Sequence, residues 1–131
     1  LTDDDELYLV GQYRYAMDCY SWEIIEGGAE QGEDPLEACK RELQEEAGLV
    51  AAQWEPLGHE LHLSNSHSSE RGILYVARGL EHVGAAPEAT EELQLKTVPW
   101  SEAVAMVGRG EINDAFSIMA ILLYDREKRG E

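Results

Sequence analysis

Residues Gly27–Leu49 read GGAEQGEDPLEACKRELQEEAGL, and the rest of the chain is best read outward from them. The stretch divides into a glycine-bearing loop, a helix start, a helix and a stop. Asp34 is a strong N-cap residue, and Pro35 fits the first helical position, where its missing N–H costs nothing. Glu37, three residues after Asp34, has the spacing of a capping box. Gly48 supplies a left-handed stop. The spacing therefore predicts a helix over 35–47.

That helix has two faces. Leu36, Cys39, Leu43 and Ala47 recur at three- and four-residue steps and form an apolar stripe. Glu42, Glu45 and Glu46 stand at i, i+3 and i+4 and crowd a second face. Like charges at that spacing destabilise a lone helix by about 0.2–0.5 kcal/mol per pair. A divalent cation reverses the sign, and Mg²⁺ takes hard carboxylate oxygens while keeping waters for a phosphate. Taken alone, the three acids also read as a solvated acidic face.

The wider pattern is G-x5-E-x7-R-E-U-x-E-E-x-G-U, with U a bulky aliphatic residue. It is filled by Gly27, Glu33, Arg41, Glu42, Leu43, Glu45, Glu46, Gly48 and Leu49. With no position missing, it resembles the Nudix box of the Nudix hydrolases. The resemblance implies an α/β (α+β) fold, a Nudix-type α/β/α sandwich with a mixed central β-sheet. It also implies metal-dependent hydrolysis of a pyrophosphate bond, with Mg²⁺ or Mn²⁺ as cofactor. Glu42, Glu45 and Glu46 become metal ligands, Glu42 and Glu46 foremost because i, i+4 residues can share an ion above one turn. The backbone carbonyl of Glu26 becomes a further ligand, and Glu45 and Glu46 become catalytic candidates. Arg41 lies off the metal face and is expected to pair with Glu33, fixing the loop against the helix and orienting the carboxylates. Gly27 and Gly28 permit tight backbone geometry in the loop.

Length and charge bound the remaining possibilities. The chain has 131 residues, suited to a single domain over 1–131 with one sizeable core. Hydrophobic residues make up 44%, which argues against disorder despite the charge. A net charge of −17 argues against nucleic-acid and anionic-membrane partners, which need a basic footprint. It also means that a cation must mediate binding of an anionic substrate. Cys19 and Cys39 give no disulfide framework, which fits a reducing, cytoplasmic setting. No apolar run is long enough for a membrane span. Leu1 leads almost directly into a strand, so residues are expected upstream.

Outside the box, strands are predicted over 7–15, 20–26, 50–58 and on through 59–63, 73–78 and 93–98. A short helix over 101–107, capped by Ser101, and a last helix over 113–128 follow. In the last helix Phe116, Met119, Leu122 and Leu123 form the expected core stripe. Tyr13, Arg14 and Tyr15 read either as strand packing or as substrate contacts, Arg on phosphate and Tyr stacked on a base. The QYRYA string resembles the matching strand of the ADP-ribose and nucleoside-diphosphate-sugar pyrophosphatase branch, where this region forms a homodimer and reaches toward the nucleoside. Glu23 is structural or touches substrate. The polar loop SNSHSSE, closed by Glu70, resembles the loop over the sugar-phosphate in that branch, although Ser64–Ser69 contain no proline. A connection over 79–93 carries Glu88, Glu91 and Glu92. Glu91 and Glu92, beside a rigid strand, are the preferred candidates for a catalytic base or an additional ligand. The small-molecule nucleotide substrate implied is ADP-ribose or a related nucleotide sugar. Nucleoside triphosphate hydrolysis and non-catalytic nucleotide sensing are the alternatives.

Overall fold

A computed structural model describes residues 1–14, 18–29, 31–62, 71–84 and 93–130. The elements are β1 (Glu6–Arg14), β2 (Cys19–Glu23), α1 (Pro35–Ala47), β3 (Leu49–His62), β4 (Arg71–His82), β5 (Leu93–Pro99), α2 (Trp100–Gly108) and α3 (Ala115–Lys128). Among the described residues the strands pair as β2-β1-β5 and as β3-β4. Every pairing is antiparallel, so no parallel pair of the expected mixed sheet occurs among them.

The layering follows from the two-residue period of β1. Leu9 is fully buried with Val98, Ala103, Met106, Ile112 and Ile121, the cluster under α2 and α3. Its neighbour Tyr8 points the other way and packs against Leu43, Ala47 and Leu49, the cluster under α1. Successive side chains of a strand face opposite sides. The β1 sheet is therefore covered by α1 on one face and by α2 and α3 on the other, an α/β/α arrangement. Among the described residues, no helix is long and apolar enough to cross a membrane.

Several boundaries differ from the sequence reading for identifiable reasons. β2 stops at Glu23 rather than 26, because the Ile24 amide bonds the Ser117 hydroxyl (3.0 Å) instead of a strand. β3 runs unbroken through 49–62, its register shifting between Leu57 and Leu61 where Gly58 takes φ +69°. β4 extends to His82, since Leu80 and His82 still pair with Ala51 and Leu49. α2 begins at Trp100, so Ser101 lies inside it and is not its cap. Pro99 precedes the helix without a side-chain capping bond. There the Trp100 indole donates to Asp125 (3.0 Å) and its amide to the Asp5 carbonyl (3.2 Å). α3 begins at Ala115 with Asp114 as N-cap. The expected stripe on α3 is also rotated: Ser117 and Ile121 are its buried residues, whereas Leu122 is 48% exposed.

Candidate active site

The box folds as its local chemistry dictates. The Asp34 carboxylate accepts from the Leu36 amide (3.1 Å) and the Glu37 amide (3.3 Å), opening α1. Gly48 closes it at φ 65°, its amide donating to the Gln44 carbonyl (2.9 Å). Glu37 does not pair locally with the cap alone: its carboxylate accepts from Lys40 (3.4 Å) at the surface.

Arg41 ties this helix to the loop before it. Its Nε and Nη2 each donate to Glu33 at 3.0 Å, a two-pronged pair. Nη2 also donates to the Gly28 carbonyl (3.1 Å), and Nη1 reaches Glu42 (2.9 Å) and Glu45 (3.2 Å). The Glu33 contact, first among these, holds the guanidinium firmly protonated. Gly27 lies hard against Glu42: a Cβ there would sit 2.1 Å from Glu42 Cδ. Gly28 by contrast has open space around it.

The three box acids are therefore not equivalent. Glu45 is 58% exposed and leans on Arg41. Glu42 is only 18% exposed, wedged between Arg41 and Gly27. Glu46 is half-buried, and among the described residues its buried Oε2 has no hydrogen-bond partner. Burial first, then the Glu42 charge, pushes the Glu46 carboxyl up to about 7, against the amide of Glu26, which donates to it.

A second group of acids lies beside it. Single oxygens of Glu23, Glu26 and Asp114 all lie within 4.8 Å of one another. Among the described residues this is the one carboxylate trio so closely gathered; Glu42, Glu45 and Glu46 do not form another. Burial and the adjoining Asp114 carboxylate push Glu26 up to about 9. Asp114 was not singled out in the sequence. Its position ahead of α3, three residues before Ser117, is the one local signal, and it reads simply as an N-cap.

These residues open onto a cleft of about 920 Å³, whose walls include Gln12, Glu23, Glu26, Glu42, Glu46 and Phe116. Gln12 faces it from β1. Tyr13, on the opposite side of the strand, bonds Asp18 through its hydroxyl. Arg14 ends β1 opposite Cys19. Tyr15, Glu70, Glu91 and Glu92 lie outside the described residues, as do the SNS loop and the acidic part of the 79–93 connection.

The donor set suits a hard divalent ion. Glu42 and Glu46 line the cleft, and Glu46 Oε2 is a buried acceptor that has no hydrogen bond among the described residues.

The NUDIX domain family matches residues 1–117. An ADP-ribose pyrophosphatase of Mycobacterium tuberculosis is 36% identical over 126 residues, covering 93% of this chain and 60% of that protein. A methanol dehydrogenase activator of Bacillus methanolicus is 31% identical, over 92% of this chain and 66% of its own length. A crystal structure described as an ADP compounds hydrolase superposes with a TM-score of 0.83 at 26% identity, over 97% of this chain and 68% of that one. The chain thus spans about two thirds or less of the curated relatives it matches. With the box complete and the fold shared, the chain belongs to the Nudix family.

Proposed function

We propose that the chain hydrolyses the pyrophosphate bond of a nucleoside diphosphate linked to another moiety, with ADP-ribose or a related nucleotide sugar as substrate. The products are a nucleoside monophosphate and a sugar phosphate. The observation that carries this reading is Glu46, a half-buried acid at the cleft with an oxygen unpartnered among the described residues and a raised pKa. Buried polar groups are normally satisfied, and strongly perturbed acids concentrate at functional sites. The relatives described as ADP-ribose pyrophosphatases support the substrate class.

Water adds to one phosphorus, the bridging P–O bond breaks, and the proton lost by water must be taken up. Mg²⁺ or Mn²⁺, held by Glu42 and Glu46, with Glu45 and the Glu26 carbonyl as further donors, would neutralise phosphate charge and acidify the attacking water. The chain's own residues do the rest. Arg41 and Glu33 hold the loop to α1. Gly27 leaves room for Glu42. A carboxylate receives the proton, with Glu45, Glu46, Glu91 and Glu92 the candidates. Arg14, Tyr15, Glu23 and Glu70 are assigned to substrate contacts; Tyr13, on the side of β1 away from the cleft and bonded to Asp18, is not. The active species is a homodimer, to be checked by sedimentation at micromolar concentration.

The test is a screen of ADP-ribose, other nucleotide sugars, dinucleoside polyphosphates and deoxynucleoside triphosphates, each with and without Mg²⁺. Preferred, Mg²⁺-dependent turnover of the first two classes is expected. Preference for triphosphates would move the assignment to a different branch. Tight binding without turnover of any compound would replace the enzyme with a sensing module.

A further inference from the structure

Ser117 is fully buried, 0% exposed, in the first turn of α3. Its hydroxyl accepts from the Ile24 amide (3.0 Å). The same oxygen stands 3.2 Å from Glu26 Oε2 and 2.9 Å from Asp114 Oδ2, either of which can accept its proton. Its amide donates to Asp114 Oδ2 (3.0 Å), so the hydroxyl is held by its own helix cap. A serine inside a core needs such partners, since an unbonded buried hydroxyl is costly. What is unusual is where the bonds go: more than ninety residues back along the chain, to the irregular segment after β2.

That segment is the approach to the box. Ile24 and Glu26 flank Ile25, which packs on the cluster under α1. The Glu26 amide donates to the Glu46 carboxylate, and the next residue, Gly27, abuts Glu42. A displacement of 24–26 would therefore move the groups that orient both carboxylates. Among the described residues the segment has no strand partner to hold it, because β2 ends at Glu23.

We infer that Ser117 is a positioning residue for the acidic site: from α3 it clamps residues 24–26 and so sets the orientation of Glu46 and Glu42 on α1. The inference rests on the proposed function, but it concerns hydrogen bonds present without any ion. Residues of this kind, one step removed from ligands, characteristically alter metal affinity 10- to 100-fold.

Ser117→Ala and the nearly isosteric Ser117→Cys test it, with Ser21→Ala as control. Ser21 is also buried, 1% exposed, and its hydroxyl bonds Asn113 (3.3 Å), but it does not reach residues 24–26. Three quantities are measured well below each melting temperature: amide exchange at Glu26 in metal-free protein, Mn²⁺ affinity by electron paramagnetic resonance, and kcat and KM. Loss of the hydroxyl is expected to speed Glu26 exchange, weaken Mn²⁺ binding about 10-fold and lower kcat with KM within about twofold. Ser21→Ala should lower only the melting temperature. If Ser117→Ala does not fold, Ser117→Cys decides. Wild-type Mn²⁺ affinity and Glu26 protection in either folded variant would overturn the inference. Failure of the wild-type protein to bind Mn²⁺ at all would instead overturn the proposed function.

Discussion

Gly27→Ala is the sharpest probe of the site, because the structure separates its effect on catalysis from its effect on stability. An alanine Cβ at this position would stand 2.1 Å from Glu42 Cδ and 2.5 Å from Glu42 Oε1. Ordinary van der Waals contact begins at 3.4 Å, so the carboxylate must retreat by more than an ångström. The obstacle is the Glu42 side chain from Cγ (2.2 Å) outward, and holding it off its rotamer costs about 0.5–1.5 kcal/mol. Gly27 does not occupy the left-handed region, so alanine also restricts the unfolded chain, worth about 0.4–1 kcal/mol toward folding. The two terms nearly cancel, and the melting temperature should move by no more than about 4 °C. Catalysis has no such compensation, because a misplacement of about 1 Å at a reacting centre can cost about 10²-fold. That is about 2.7 kcal/mol of transition-state stabilisation. Gly28→Ala is the control: nothing lies within 4 Å of a Cβ there, so its kcat should match wild type. The assay follows phosphate released from the products by a phosphatase, alongside thermal melts. A Gly27→Ala protein with wild-type kcat, or a Gly28→Ala protein equally impaired, would refute the reasoning.

Three further changes bear on the same region. Glu46→Gln should lower kcat at least about 10²-fold. It should not lower the melting temperature at pH 8, because the amide resembles the protonated form that burial favours; near-normal turnover would remove Glu46 from the mechanism. Stability in metal-free buffer should fall as pH rises. Glu46 and Glu26 are pushed up from 4.5 to about 7 and about 9, so the folded chain keeps protons that the unfolded chain releases above 4.5. Their contribution is full below about 4.5 and is lost as pH climbs through the two raised values. Glu26→Gln should flatten the melting temperature between pH 7 and 9, and an unchanged slope would contradict that assignment. Finally, a Cβ at Gly72 would meet the Phe116 ring at 2.1 Å. Gly72→Ala should destabilise by about 1–3 kcal/mol in urea unfolding. Phe116→Leu should relieve part of that, and strict additivity of the pair would show that the contact is not the cause.

How far the sequence could be read depended on whether the deciding chemistry was local. The bounds of α1 were legible to the residue because Asp34, Pro35 and Gly48 act within one turn of themselves. The pairing of Arg41 with Glu33 was legible for a similar reason, lying across one short loop. The end of β2 was not. Ile24, Ile25 and Glu26 look like strand residues, and only a serine far along the chain shows why they leave the sheet. The face of α3 was equally hidden. Its run SIMAILL is apolar nearly all round, so spacing cannot choose between Ile121 and Leu122. Asp114 escaped notice because an acid ahead of a helix already has a sufficient local explanation as a cap.

The same distinction ranks the three box acids more finely than spacing, which only sets Glu42 and Glu46 ahead of Glu45. A carboxylate with a guanidinium beside it has its charge compensated and gains less from a second cation. Glu45 is such a group, and it is also well solvated. Glu42 is paired with Arg41 but shielded from water, so its compensation is partial. Glu46 has left water without acquiring, among the described residues, any cationic partner. Among the described residues the Glu26 amide supports its charge, and Oε2 has no hydrogen-bond partner. Folding has already incurred the desolvation of that group, and burial with the neighbouring Glu42 charge raises its pKa. A divalent ion arriving there would recover more free energy than at either neighbour, so the expected order of loss on substitution is Glu46, then Glu42, then Glu45. The position of Glu46 is in turn held through residues 24–26, which α3 secures. The acidic helix thus supplies the charges, while a hydroxyl from the far end of the chain fixes where the strongest of them sits.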